Sequence, residues 1–199
     1  MNCAQKSISP CIETLKSVDG KIGHLVWHQA RFDKTRRELY GDTSKILLSA
    51  ILEPPNQGEY RVRIEYTDTI LKVEYFPLHV RTFEHFALVE TDIHYAYKYA
   101  NREHLIALKP SIVDDVIFTC KGELRDTSIA NIALYSDGCW LTPQTPLLEG
   151  TTRERLLRSG FLKGAILTTK HLQKASKFAI MNALIGFKTL ETFEYSSVL

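Results

Sequence analysis

The stretch Cys120–Leu157, CKGELRDTSIANIALYSDGCWLTPQTPLLEGTTRERLL, decides how the rest of the chain is read. It sets a carboxylate, Asp126, in a segment rich in Thr, Ser and Asn. A short apolar run, Ile129 to Tyr135, follows as an expected strand. The turn Ser136-Asp137-Gly138 returns it through Cys139–Thr142. The stretch closes on Gly150-Thr151-Thr152-Arg153, at the start of a helix expected from Thr152 to Ser159. A helix N-terminus with Gly and Thr ahead of it suits a phosphate, because its first N–H groups lack intrahelical acceptors and sit at the positive end of the dipole. A carboxylate one hairpin upstream is placed to meet the other end of the same small molecule.

Outward from this stretch, the N-terminal half reads as hairpins and helices. Residues 12–26 form a hairpin about the two-residue turn Asp19-Gly20. A helix is expected from Trp27 to Tyr40, stopped by Gly41, and a second from Thr43 to Leu52, ended by Pro54-Pro55. YRVRIEYT, residues 60–67, alternates strictly and reads as a half-buried strand, with LKVEYFP returning after Thr67-Asp68-Thr69. Phe86 to Glu90 is another strand. Near Glu90-Thr91-Asp92 this strand-rich half gives way, which divides the chain into residues 1–90 and 91–199. Beyond it, strands are expected at Ile112–Thr119 and Phe178–Met181, and a short helix at residues 170–177. Hairpins and helices without regular βαβ alternation indicate an α+β protein.

With 199 residues the chain has room for one large domain or two small ones. A net charge of +2 with no basic block gives no reason to expect nucleic acid as a partner. No apolar run approaches the roughly 20 residues that span a bilayer, so no membrane partner is expected. The N-terminus, MNCAQKSISPCIE, has no apolar signal core, so the cytoplasm is the expected location. None of the four cysteines, Cys3, Cys11, Cys120 and Cys139, lies in a CxxC pair; reduced, mostly buried thiols are expected, and no metal site.

Two residues in the first two-thirds of the chain stand out chemically. Lys98 lies in YAYKYANR, between Tyr97 and Tyr99. Partial burial among aromatic rings would lower its pKa and make an amine nucleophile, whereas alone it reads as an exposed lysine on an edge strand. Arg31, in HQARF, lies near the start of the first helix beside Trp27 and Phe32, where a surface arginine is the ordinary reading.

Lys98-Tyr99-Ala100-Asn101-Arg102 matches the K-x-x-N-R segment of 4-amino-4-deoxychorismate lyases, and Gly150-Thr151-Thr152-Arg153 resembles the phosphate-binding turn of the same enzymes. The chain thus resembles the fold-type IV pyridoxal-phosphate enzymes, the class IV aminotransferase family, over nearly its whole length from Glu13-Thr14 to Asn182. The resemblance implies a two-domain fold like that of D-amino-acid aminotransferase, with a shortened N-terminal domain. It implies pyridoxal 5′-phosphate in the cleft between domains, held covalently by Lys98, which also shuttles the proton. Asp126 takes the place of the carboxylate that keeps the pyridine nitrogen protonated. Relatives carry Glu there, so one methylene is lost. Arg31, Thr151, Thr152 and Asn182 would surround the phosphate, and Leu148 would pack on one face of the ring. Alone, Asn182 reads as a turn or cap residue, Leu148 as core and Arg153 as a helix-surface or ion-pair residue.

By the same resemblance a homodimer is expected, with a small-molecule amine as substrate. The favoured activity is a lyase converting 4-amino-4-deoxychorismate to p-aminobenzoate and pyruvate, toward folate. The alternative is an aminotransferase acting on a D- or branched-chain amino acid and a 2-oxo acid. A third reading is a non-catalytic binding module. The retained lysine, carboxylate and phosphate elements argue against it, and the short first half and the Glu-to-Asp change argue for it.

Overall fold

A computed structural model describes residues 9–197, so Cys3 lies outside the described residues. The described residues form two compact units: one comprises the chain up to Leu78 with Tyr97–Asn101, the other His79–Ala96 with the chain from Arg102 onward.

The first unit opens with β1 (Cys11–Val18), which turns through Asp19-Gly20 into β2 (Lys21–Ile22). Both turn residues have positive φ, 47° and 76°, as a two-residue hairpin loop that follows the strand twist demands. Helix α1 (Leu25–Thr35) continues through a π-helical turn at Arg36–Tyr40 and stops at Gly41, whose φ is 72°. The second helix is shorter than the sequence suggests: α2 covers Leu48–Ile51 only. The residues before it are held in another way. Buried Arg36 donates to the carbonyl of Ser44 at 2.6 Å and to Asp42 at 2.7 Å, and Leu47 is extended. Strands β3 (Glu59–Tyr66) and β4 (Ile70–Pro77) complete a sheet ordered β2-β1-β3-β4. Cys11, Glu13 and Leu15 of β1 pair with Tyr66, Ile64 and Val62 of β3, and all six are buried. Apart from Glu13, these residues form the unit's core with Phe32, Leu48 and Leu52.

The second unit holds two sheets. Strand β5 (His85–Glu90) is followed by the single-turn helix α3 (Glu103–Ile106), β6 (Asp115–Cys120) and β7 (Glu123–Thr127). Then come β8 (Asn131–Ser136), β9 (Cys139–Pro143), α4 (Thr151–Arg158) and β10 (Leu162–Ala165). The chain ends with α5 (Thr169–Lys174), β11 (Lys177–Asn182), β12 (Gly186–Thr189) and β13 (Glu194–Ser197). One sheet runs β10-β9-β8-β11-β12 and the other β13-β5-β6-β7.

Strict alternation along the central strands of the five-stranded sheet sorts its two faces. Ile132, Leu134, Phe178 and Ile180 join Phe86, Ile117 and Leu124 of the other sheet in one core. Ala133, Ala179 and Met181 pack on the opposite side with Leu156 of α4. The small Ala side chains leave room for the helix. Among the described residues Cys11 is buried, Cys120 and Cys139 are half-buried, and all three are free thiols. No helix among them is long and apolar enough to cross a membrane.

Phe178 is the aromatic centre of the second unit, stacked on Phe193 at 4.0 Å and edge-on to Phe86 at 5.7 Å. Phe178→Ala is expected to cost about 3–5 kcal/mol of stability, the scale of an aromatic deletion that leaves a cavity. Urea unfolding checks it, and a loss below about 1 kcal/mol would mean that the two sheets close over the gap.

Candidate active site

In the first unit, the chemistry collects on β1. Its alternation places Glu13 on the buried face, where a carboxylate without partners would cost several kcal/mol. Helix α1 supplies the partners from one face. His28 and Arg31 are three residues apart and so project side by side. Arg31 donates through Nε to Glu13 Oε1 at 2.8 Å and through Nη2 to Oε2 at 2.7 Å, a two-pronged fork. His28 Nδ1 lies 2.7 Å from the same Oε2. Burial pushes the Glu13 carboxyl up, but the charge of Arg31 and the hydrogen bonds from His28 and Arg31 overcome it and hold it at about 2. The carboxylate is therefore ionised and accepts only, which assigns the proton of this contact to His28 Nδ1.

Lys98 joins the same strand through its backbone. Its carbonyl accepts from the N–H of Ile12 at 2.8 Å, and the N–H of Ala100 donates to Pro10 at 2.8 Å. Tyr99 thereby bridges Cys11 in antiparallel fashion. Lys98 is half-buried, and Tyr97 and Tyr99 meet edge-on at 6.2 Å. Lys98 and Arg31 are thus both anchored to consecutive residues of β1, Ile12 and Glu13.

In the second unit, Asp126 sits within β7 and is 4% exposed. Its Oδ1 accepts from Asn131 Nδ2 at 2.8 Å and its Oδ2 from the N–H of Leu148 at 2.9 Å. Asn131 Nδ2 also donates to the Leu148 carbonyl at 2.8 Å, closing a ring of three residues. This ring fixes the half-buried Leu148 and the chain leading into α4. Gly150 caps that helix, and a Cβ there would lie 2.0 Å from Asn131 Oδ1, so only glycine lets the helix start this close. Thr151 and Thr152 are buried in the first turn. Arg153 is buried too, not on the helix surface, and its Nη2 donates to the Pro143 carbonyl at 2.7 Å.

Asn182 makes a turn of its own. Its Oδ1 accepts from the N–H groups of Leu184 and Ile185 at 2.9 and 3.1 Å. Its Nδ2 donates to the Ile129 carbonyl at 3.3 Å, which braces the loop between Asp126 and Asn131. Arg102, the last residue of the K-x-x-N-R segment, donates to the carbonyl of Ser128 in that loop.

A profile of the family described as amino-transferase class IV matches residues 94–188, which hold Lys98, Asp126, Leu148, Thr151, Thr152 and Asn182. An uncharacterised protein of Haemophilus influenzae is 32% identical over 185 residues, 89% of this chain and 98% of its own. This chain belongs to the class IV aminotransferase family. Class IV enzymes depend on pyridoxal phosphate. A candidate 4-amino-4-deoxychorismate lyase from Haemophilus somnus superposes with a TM-score of 0.81 at 26% identity, over 89% of this chain and 97% of that one. A candidate amino-acid aminotransferase from Mesorhizobium loti shares the fold, with a TM-score of 0.77 at 22% identity over 95% and 99%. So does a pyridoxal-phosphate-bound hypothetical aminotransferase from Mycobacterium tuberculosis, with a TM-score of 0.76 at 16% identity over 94% and 82%.

Glu13, His28 and Asn131 were not singled out as site residues from the sequence. The signal for Glu13 was present: CIETLKSV places a carboxylate in phase with Cys11, Leu15 and Ser17 on a buried face.

Burial pushes the Asp126 carboxyl up to about 6, and the hydrogen bonds from Leu148 and Asn131 and the charge of Arg153 limit the rise. Because the folded value exceeds the unfolded 3.8, the fold favours the protonated acid. That contribution is full below about pH 4 and lost as pH rises through about 6. The stability of cofactor-free protein relative to Asp126→Asn should therefore fall by up to about 3 kcal/mol across this window in urea titrations. A difference constant from about pH 4 to 8 would mean that hydrogen bonding fully offsets burial.

Proposed function

We propose that this protein is a pyridoxal-phosphate-dependent lyase that converts 4-amino-4-deoxychorismate to p-aminobenzoate and pyruvate. The carrying observation is the near-complete, 26%-identical match to the candidate lyase of Haemophilus somnus, together with the K-x-x-N-R segment that holds Lys98. The residues fit the cofactor by the chemistry of their donor set. Arg31, with its guanidinium in a fixed plane, and the first turn of α4 with Thr151 and Thr152 suit a phosphate. Asn182 steadies the loop beyond Asp126, and by the family resemblance it would serve the phosphate. The buried carboxylate of Asp126 suits a protonated pyridine nitrogen. Its oxygens already accept from the Asn131 amide and the N–H of Leu148, which fixes the direction in which the carboxylate faces. Leu148, clamped by its backbone, offers an apolar surface to one ring face. Lys98 supplies the amine.

When bound, the cofactor supplies an electron sink for the carbanion that proton removal leaves on the substrate. Lys98 takes that proton from the carbon bearing nitrogen and holds it. Asp126 would keep the sink charged, and Arg31 would offer its guanidinium to the phosphate. In the lyase the electrons expel the enolpyruvyl group and the ring becomes aromatic, and substrate atoms balance product atoms without a second substrate. An aminotransferase needs a 2-oxo acid to carry the amino group away. The fold-level likeness to aminotransferases keeps that activity as the second reading. Following the family resemblance, we propose that the protein works as a homodimer in the cytoplasm.

Purified holoenzyme should form p-aminobenzoate and pyruvate over many turnovers with no 2-oxo acid added, followed by p-aminobenzoate fluorescence. Absence of this turnover, with amino-group transfer from D- or L-amino acids to 2-oxo acids, would make the protein an aminotransferase.

A further inference from the structure

Glu13 belongs to no element of the site proposed above, yet it is fully buried and accepts two hydrogen bonds from Arg31. A helix-borne arginine has large rotamer freedom, which it loses when a ligand fixes it. Here that freedom is already lost. The Arg31 side chain is 14% exposed and is gripped at Nε and Nη2 by both oxygens of one carboxylate. Because the guanidinium is planar and rigid, fixing one edge fixes the plane and direction of the opposite edge, which carries Nη1.

The carboxylate cannot pivot either. His28, 1% exposed, binds Oε2 at 2.7 Å, and Glu13 lies mid-strand, paired with Ile64 of β3. Lysine in place of Arg31 would have no such geometry. Its ammonium is a single point, and Glu13 would capture it. The carboxylate also partly offsets the positive charge of Arg31, so its benefit to an anion must come from placement and not from field. Charge-conserving substitutions therefore separate the two.

We propose that Glu13, pinned by His28, is the positioning residue that presets the guanidinium of Arg31 for a phosphate monoester. This rests on the reading of Arg31 as a phosphate ligand. The consequence is selective: Glu13 governs discrimination between pyridoxal phosphate and pyridoxal, which lacks the phosphate, and has no bearing on the affinity for pyridoxal itself.

The test titrates cofactor-free, full-length protein with each compound and follows absorbance. Glu13→Asp keeps the charge but withdraws the carboxylate by one methylene, which breaks or displaces the fork. It should weaken pyridoxal phosphate binding by about tenfold, the scale of one charge-assisted contact. The affinity for pyridoxal should change less than about twofold, well under the size of such a contact. Arg31→Lys should show the same selective loss, and it supplies the test if Glu13→Asp does not fold. In an Arg31→Ala background, Glu13→Asp should have no further effect on either compound. Equal losses for the two compounds, or wild-type discrimination retained in Glu13→Asp or Arg31→Lys, would overturn the proposal and leave Glu13 as a packing element. If the wild-type protein itself binds both compounds equally, the phosphate reading of Arg31 fails, and that result is distinct from the other two.

Discussion

A buried carboxylate must be given donors, and each unit of this protein is arranged around one. In the first unit Glu13 meets that demand by drawing His28 and Arg31 of α1 against β1. In the second, Asp126 meets it by drawing in the Asn131 amide and the N–H of Leu148. The two solutions leave different electrostatic states. The charge of Arg31 and the hydrogen bonds from His28 and Arg31 overcome burial and hold Glu13 well below the ordinary carboxylate range, while at Asp126 burial outweighs its donors and leaves it above. Glu13 is accordingly a fixed anion that orders an arginine. Asp126 is poised where a nearby cationic nitrogen would stabilise its charge.

Both carboxylates also position backbone. The ring of Asp126, Asn131 and Leu148 delivers the chain to Gly150, and the absence of a Cβ there lets α4 begin against Asn131. A helix N-terminus with two buried threonines is thus held at a set distance from a buried acid. On the first unit, Lys98 and Arg31 are referred to neighbouring residues of one strand. Precision of this kind favours a site built on strands and helix ends over one built on free loops.

Much of the fold was legible in the sequence because its signals are local. Asp19-Gly20 and Gly41 mark turns and ends where positive φ is needed, the alternation of YRVRIEYT survives as β3, and the apolar run after Ile129 as β8. The polar strand β7, the short strands β10, β12 and β13, and helix α3 left no such mark. The pairing of β5 with β6 and β13 is parallel and joins distant segments, which no nearby residue announces. Likewise α2 fell short of its expected span, because Arg36 claims the residues before it for a side-chain contact that propensity does not register. At the candidate site, Asp126 and Leu148 were singled out through the family resemblance. Their mutual hydrogen bond, and the role of Asn131 between them, are tertiary facts.

The central claim is that Lys98 is the lysine to which the cofactor attaches. It is tested by loading the protein with pyridoxal phosphate, reducing it with borohydride, and locating the modified residue by proteolysis and mass spectrometry. The account predicts one labelled peptide, modified at Lys98 within YAYKYANR, and no covalent label in Lys98→Ala. Label on another lysine, or a loaded protein that yields no labelled peptide, would contradict it.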